Sequence, residues 1–147
     1  MTATSSAGAA PVGTTFRHSI AVRYGECDMQ GVVFNAHYLA YADDAVARWL
    51  EAVMPPGAMY SAGNDSATFD FMVKKAEVEW TTGTTYPDVV ALDCSVSRWG
   101  RTSFDVTIAG SCRGEPRFVV TLVYVSVTPG THAPAPIPDA VKSALSA

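Results

Sequence analysis

The sequence predicts an α+β domain in which one long amphipathic helix packs on a face of a five-stranded antiparallel sheet. Three observations predict it. Several segments alternate apolar and polar residues with a period of two, as half-buried strands do. One segment only, after residue 35, repeats its apolar residues at a long helical spacing. The four strand segments that follow it are joined mostly by short links of the hairpin kind, not by further helices. Length and composition agree: 147 residues suffice for one domain with a real core. With 48% hydrophobic and only 16% charged residues, the chain is globular and short of charge for a wholly wetted surface, so a further subunit is expected to cover part of it.

Residues 1–14 are mostly small and show no periodicity, which reads as a flexible arm ahead of a domain at residues 15–128. Phe16, His18, Ile20, Val22 and Tyr24 alternate with Arg17, Ser19, Ala21 and Arg23, a strand leading into a loop bracketed by Gly25 and Gly31. Asn35 is a favoured N-cap, and no Pro or Gly interrupts Ala36 to about Val53 before Pro55 and Pro56 end the helix. At about 100° per residue, Tyr38, Tyr41, Ala42, Ala45, Val46, Trp49, Leu50 and Val53 fill one arc. Asp43, Asp44, Arg48 and Glu51 form the opposite, wet face.

Thr68 to Trp80 reads as a strand whose apolar phase moves from Phe69, Phe71 and Val73 to Ala76, Val78 and Trp80, which predicts a bulge near Lys74 and Lys75. Val89 to Arg98 and Arg101 to Ala109 alternate cleanly and form a hairpin through Trp99-Gly100. Phe118 to Val127 is nearly all apolar, as a central strand buried on both faces is. Residues 129–147 are a Pro-rich tail with room for a short capped helix from Asp139 to Leu145.

Several functions are disfavoured at once. A net charge of −4 argues against nucleic acid as the main ligand. Cys27, Cys94 and Cys112 are odd in number and widely spaced, and read as free thiols of a reducing compartment. No long apolar run predicts a membrane span and no signal peptide is evident, so the cytoplasm is the expected location. No Gly-x-Ser-x-Gly elbow, phosphate-cradling Gly-rich loop or His-Glu-x-x-His pair occurs, and no metal or cofactor is expected.

The informative stretch is residues 23–38. It sets Asp28 in a Gly-containing loop just ahead of the long helix, where a carboxylate can face the free N–H groups of a helix start. Tyr24, Gly25, Glu26, Cys27, Asp28, Gly31, Val32, Val33, Phe34 and Tyr38 resemble, in order, the active-site motif of hotdog-fold acyl-CoA thioesterases of the 4-hydroxybenzoyl-CoA thioesterase type. The resemblance spans about Phe16 to Val127. It implies a hotdog fold, with the five-stranded sheet wrapped around one long central helix, and a homodimer or homotetramer with active sites between subunits.

It also implies roles. Asp28 attacks the thioester or activates water, and both routes use its carboxylate form. The backbone N–H seven residues on, at Asn35, polarises the carbonyl; many relatives have His or Tyr there, so only the backbone role carries over. Gly31, Val33, Phe34 and Tyr38 are the candidate substrate contacts, with Tyr38 also read as core packing at the helix base. Arg98-Trp99-Gly100-Arg101-Thr102-Ser103 resembles a carrier-contacting segment, which makes Arg101 first and Arg98 second choice for the phosphates of coenzyme A.

Each role has a plainer rival. Asp28 alone would be a turn residue, and the arginines alone would be residues flanking a hairpin. Glu26 reads as a surface residue or a support behind the site, His37 as solvated, His18 as a satisfied core residue and Cys27 as an unactivated thiol. The hotdog hydratases use a catalytic His in a loop motif that is missing here. The expected function is therefore hydrolysis of an acyl thioester of coenzyme A or an acyl carrier protein. The alternative is a hotdog domain that binds such thioesters, or a protein partner, without turnover.

Overall fold

The computed structural model describes residues 13–59, 63–64 and 66–146; residues 1–12 of the expected arm lie outside them. In chain order it contains β1 (Phe16–Ala21), a 3₁₀ turn (Tyr24–Glu26), α1 (Asn35–Val53), β2 (Asp70–Trp80), β3 (Val89–Trp99), β4 (Ser103–Cys112), β5 (Glu115–Val127) and α2 (Asp139–Ser146). The strands form one five-stranded sheet in the order β1-β3-β4-β5-β2, every neighbouring pair antiparallel. β1 and β2 are its edges.

α1 lies on one face of this sheet and touches β1, β2, β3 and β5. Its buried residues are Tyr38, Tyr41, Ala42, Ala45, Val46, Trp49 and Leu50, the arc that the 3.6-residue period defines. Val53, placed on the same arc, is 37% exposed at the helix's last residue. Phe34, not Asn35, takes the cap position, with extended backbone and no side-chain cap; Asn35 is the first helical residue. One-residue differences of this kind are usual at helix ends.

β2 carries the bulge its sequence implies: the register with β5 slips between Val73 and Lys75. The β3–β4 hairpin closes through Gly100, whose N–H donates to the Ser103 carbonyl at 2.7 Å. Between β4 and β5 the two-residue link is Arg113-Gly114, both at positive φ as a tight twisted hairpin requires. β5 corrects one expectation. It is an interior strand, yet Phe118, Val120, Leu122 and Tyr124 are buried while Val119 is 39% exposed. The helix covers only one face of the sheet, so apolar composition on both faces of β5 does not mean burial on both within one chain. His18 corrects another: it is partly exposed on β1, with Nε2 3.4 Å from Asp44 Oδ2.

The residues after β5 pack back on the domain. The Ala135 N–H donates to the Ser126 carbonyl and the Ile137 N–H to that of Arg101, and α2 adds Val141 and Leu145 to the core beneath α1. The core is markedly aromatic: Tyr38, Tyr41, Trp49, Phe69, Phe104 and Phe118 are all within 2% of full burial. Phe118 stands edge-on to Tyr38 with ring centroids 4.9 Å apart, and it lies across Gly110 of β4, its cross-strand partner. A Cβ at Gly110 would fall inside that ring. Gly110→Ala is therefore expected to displace Phe118 and cost about 1–3 kcal/mol. Thermal or denaturant unfolding checks this; an unchanged midpoint would mean the ring can move aside freely.

Candidate active site

The chain from Arg23 to Asn35 is a loop closed by several backbone hydrogen bonds of its own. Cys27 and Val33 form an isolated antiparallel bridge, and the Asp28 N–H donates to the Val32 carbonyl at 2.9 Å. The Gly31 N–H returns to the Asp28 carbonyl at 3.0 Å, closing a turn that needs Gly31 at φ +81°. Asp28 itself is exposed. Its Oδ1 accepts the Gln30 N–H at 2.8 Å, which fixes the side chain over the turn, and Oδ2 has no partner among the described residues.

The start of α1 contrasts with this loop. Phe34 N–H donates to the Glu26 carbonyl at 2.9 Å and His37 N–H to the Phe34 carbonyl at 3.0 Å. The N–H groups of Asn35 and Ala36 precede the first intrahelical bond and have no acceptor among the described residues. They form the positive end of a 19-residue helix seven residues after Asp28.

Two sets of contacts hold this loop from below. On one side is Glu26, which takes the supporting one of the two places the sequence allowed it. Its carboxylate accepts the Tyr41 hydroxyl at 2.8 Å and the Arg23 N–H at 2.8 Å, and its side chain is only 13% exposed. Burial pushes the Glu26 carboxyl up, but the Arg23 N–H, the Tyr41 hydroxyl and the Arg23 charge outweigh it, so the group sits below the ordinary glutamate value. On the other side is the β2–β3 connection. The Thr84 carbonyl accepts the Val33 N–H at 2.8 Å, Thr85 Oγ1 donates to the Gly31 carbonyl at 2.6 Å, and the Tyr38 hydroxyl accepts the Thr84 N–H at 3.3 Å. That connection is anchored by buried Asp88, whose carboxylate accepts the Thr85 N–H at 3.1 Å and faces Arg113 at 3.4 Å and Arg117 at 3.6 Å.

The motif residues thus divide. Asp28, Gly31, Phe34 and Asn35 are exposed on the loop and helix start. Val33 and Tyr38, expected against substrate, are 1% exposed; they support the loop from the core instead of lining a site. His37 is partly buried beside the Phe34 ring, 6.3 Å between centroids. Cys27 is a free thiol, as are buried Cys94 and Cys112; burial pushes the Cys94 thiol up to about 12. On the wet face of α1, Asp43 is exposed and its Oδ1 accepts the buried Tyr124 hydroxyl at 3.3 Å.

Arg98 and Arg101 are not brought to Asp28. Val89 pairs with Ala21 at the end of the sheet where the loop begins, whereas Arg98 lies at the other end of β3, roughly 30 Å away. There Arg98 is engaged by Asp105 and by Ser103 Oγ, both at 2.9 Å, while Arg101 is exposed with no ion-pair partner among the described residues. The residues that the sequence did not single out are Tyr41, Thr84, Thr85, Asp88, Arg113 and Arg117. A buried Tyr on an apolar helix face is the one signal available, because its hydroxyl needs a partner.

Among the described residues no group of three or more His, Cys, Asp or Glu side chains is placed to hold a metal, and no helix is long and apolar enough to cross a membrane. A groove of about 310 Å³ lies between α1 and the edge strand β2, lined by Leu39, Ala40, Asp43, Val73, Ala76 and Leu122. A larger one, about 490 Å³, sits at the far end of α1 against Leu50, Met54 and Pro55, away from the loop.

Residues 22–145 match the model of the thioesterase-like superfamily. No match is found among curated proteins. Among solved structures, a thioesterase from Thermus thermophilus complexed with coenzyme A and Zn is 24% identical, with 92% of this chain and 94% of that one covered at a TM-score of 0.76. A protein from Pseudomonas aeruginosa is 22% identical, with 90% of each chain covered and a TM-score of 0.78. A 1,4-dihydroxy-2-naphthoyl-CoA thioesterase from Synechocystis is 16% identical, with 88% and 94% covered and a TM-score of 0.75. At such identities the likeness establishes the fold.

The Glu26–Tyr41 bond gives a pH-dependent expectation. A carboxyl held below its ordinary value stabilises the fold fully above that value, and the stabilisation is lost as pH falls through the folded value. Tyr41→Phe is therefore expected to cost about 1–3 kcal/mol near pH 7, and the gap from the native protein should narrow toward about pH 3. Denaturant titrations at both pH values check it; a gap independent of pH would show that the ionised form is not what Tyr41 stabilises.

Proposed function

The chain belongs to the thioesterase-like superfamily, and from that premise we propose that it is a hotdog-fold hydrolase of acyl-coenzyme A thioesters. One observation carries the reading. Asp28 is held by the Gln30 N–H on one oxygen, with the other left over, just ahead of a helix start whose Asn35 and Ala36 N–H groups have nothing else to bond among the described residues. A carboxylate beside preorganised donors suits acyl transfer.

Two routes use these groups. As nucleophile, Asp28 attacks the carbonyl carbon, the carbon–sulfur bond breaks, and water opens the resulting anhydride to restore the carboxylate. As general base, Asp28 takes a proton from water as the oxygen adds, and that proton passes to the departing thiolate. Either way one thioester and one water become a free acid and a thiol. In both, the carbonyl oxygen gains charge, and the N–H of Asn35, at the positive end of α1, is the donor for it; one such donor is worth about 2.7–4 kcal/mol of barrier.

The carrier is coenzyme A in this reading, and a homo-oligomer completes the site. Arg98 and Arg101 stand at the opposite end of the sheet from Asp28, so the reading assigns them to the thioester site of a second copy. β2 supports such a copy: it is an edge strand with Met72 45%, Val73 47% and Trp80 45% exposed beside its charged residues, and the unpaired backbone groups of an edge are open to another strand.

Asp28→Asn is expected to lower thiol release from acyl-CoAs by at least about 100-fold while the helical signal in circular dichroism is unchanged. Thiol release over short, long and aromatic acyl-CoAs checks this. If native protein binds these thioesters and releases no more thiol than the variant, the domain is a binding module and the hydrolase reading fails.

A further inference from the structure

The residues after β5 return to the short link that carries Arg101. β3 and β4 are joined by Gly100, Arg101 and Thr102. Two bonds fasten this link to the sheet: the Gly100 N–H donates to the Ser103 carbonyl and the Ser126 N–H, from the end of β5, donates to the Thr102 carbonyl, both at 2.7 Å. The third comes from the C-terminal tail. There the Ile137 N–H donates to the Arg101 carbonyl at 3.0 Å.

The tail itself is tied down on both sides of that bond. Before it, the Thr128 N–H donates to the Ala133 carbonyl at 2.7 Å, Pro134 pairs antiparallel with Val127, and the Ala135 N–H donates to the Ser126 carbonyl at 2.9 Å. Ser126 therefore holds the link with its N–H and the tail with its carbonyl. After it, α2 buries Val141 and Leu145, four residues apart on one face, and Ile137 is itself only 5% exposed. A helix of eight residues is marginal in water by itself, so these anchors and not propensity keep it in place. Contacts that begin in the core thus end at the backbone of Arg101, whose side chain is exposed and has no ion-pair partner among the described residues. Fixing that backbone beforehand removes part of the ordering cost of an arginine that grips an anion.

We propose that the C-terminal tail, residues 133–146, is a positioning element of the carrier site: through the Ile137 N–H it fixes the Arg101 backbone, and so the place where the guanidinium meets the phosphates of coenzyme A. Ile137 is the positioning residue and acts only through Arg101. The inference rests on the thioesterase reading, which sets Arg101 at the thioester site of a second copy. The tail of one subunit then governs the grip on the carrier at the other's site.

The test uses the full chain and compares benzoyl-CoA with benzoyl-pantetheine and octanoyl-CoA with octanoyl-pantetheine, pairs that differ only in the phosphates and nucleotide. The preference within each pair is read as a ratio of kcat/KM where thiol is released, and of Kd by calorimetry where it is not. Native protein is expected to favour the coenzyme A member by about tenfold or more, as one charge-assisted contact gives, and Arg101→Ala to lose most of that. Ile137→Pro removes the N–H and should cut the preference by about threefold or more, the worth of ordering one long side chain, chiefly as a higher KM. Ile137→Ala keeps the N–H and should keep the preference. Ile137→Pro should add nothing to Arg101→Ala in the double variant, because the tail acts through that arginine. Melting midpoints establish which variants fold; Ala135→Pro, which frees the tail from Ser126 at a residue outside the buried core, decides where Ile137→Pro does not fold. A preference retained in the folded tail variant, or a loss equal for both members of each pair, would overturn the proposal and leave the thioesterase reading intact. A native ratio near one, a ratio untouched by Arg101→Ala, or no binding of any of the four thioesters would remove Arg101 from the carrier site and the proposal with it. The stated pattern in Kd without thiol release would leave the proposal standing and sink only the hydrolase reading.

Discussion

Backbone hydrogen-bond accounting at the start of α1 is the constraint on which the site depends. A helix always begins with donors that lack intrahelical acceptors, and most proteins dispose of them with a capping side chain. Here the cap position is Phe34, which has no side-chain acceptor to offer, and the residue that could cap, Asn35, sits one place too late. Four nearby carbonyls are committed elsewhere: Glu26 to Phe34, Asp28 to Gly31, Val32 to Asp28 and Thr84 to Val33. What remains is a pair of adjacent N–H groups facing outward. Their cost is small while water reaches them, and their orientation is set before any ligand arrives, which is what makes such donors effective toward developing charge.

Holding those donors still is the work of the core. The loop is gripped on one side by Glu26 and Tyr41 and on the other by the Thr84–Thr85 connection. Both grips reach α1 through aromatic residues on its buried face, Tyr41 and Tyr38, whose rings lie 6.1 Å apart. Tyr38 in turn meets Trp80 and Phe118. Ring packing deep in the sheet therefore sets the height of the loop over the helix start. Polar tips on buried aromatic bodies serve this purpose well, since the ring is fixed by packing and the hydroxyl by a single partner. Asp88 extends the same logic outward by fastening the connection to the β4–β5 turn through Arg113 and to β5 through Arg117.

What can be read from the sequence is what local periodicity encodes. The buried arc of α1, the slip in β2 and the β3–β4 hairpin follow from residue spacing alone, and each stands in the structure. The misreadings share a different cause: they concern what covers a residue from elsewhere in the chain. β5 is apolar on both faces, but composition does not say that only one face meets a helix. Glu26 stays undecided between surface and support because its partner is 15 residues away on another element. Val33 and Tyr38 belong to the motif, yet a motif records order and not depth, and both lie beneath the site they help to shape. The separation of Arg98 from Asp28 needs only strand direction, once β1 is known to run against β3; that pairing is long-range and leaves no mark in local spacing.

One helix then carries two properties that are usually argued separately. Its buried face fixes where its first N–H groups point, and its exposed stripe, four residues at a time, forms a wall of the groove that leaves them. The opposite wall is the edge strand β2, through Val73 and Ala76, and the floor is buried Leu122. Moving the loop would break the Glu26–Tyr41 and Thr84–Tyr38 bonds that tie it to the core. The exposed face of α1 is tied to the core more lightly, through the bond from the buried Tyr124 hydroxyl to Asp43. The two faces therefore answer to different demands, the buried one to packing and the exposed one to the shape of the surface beside the free N–H groups.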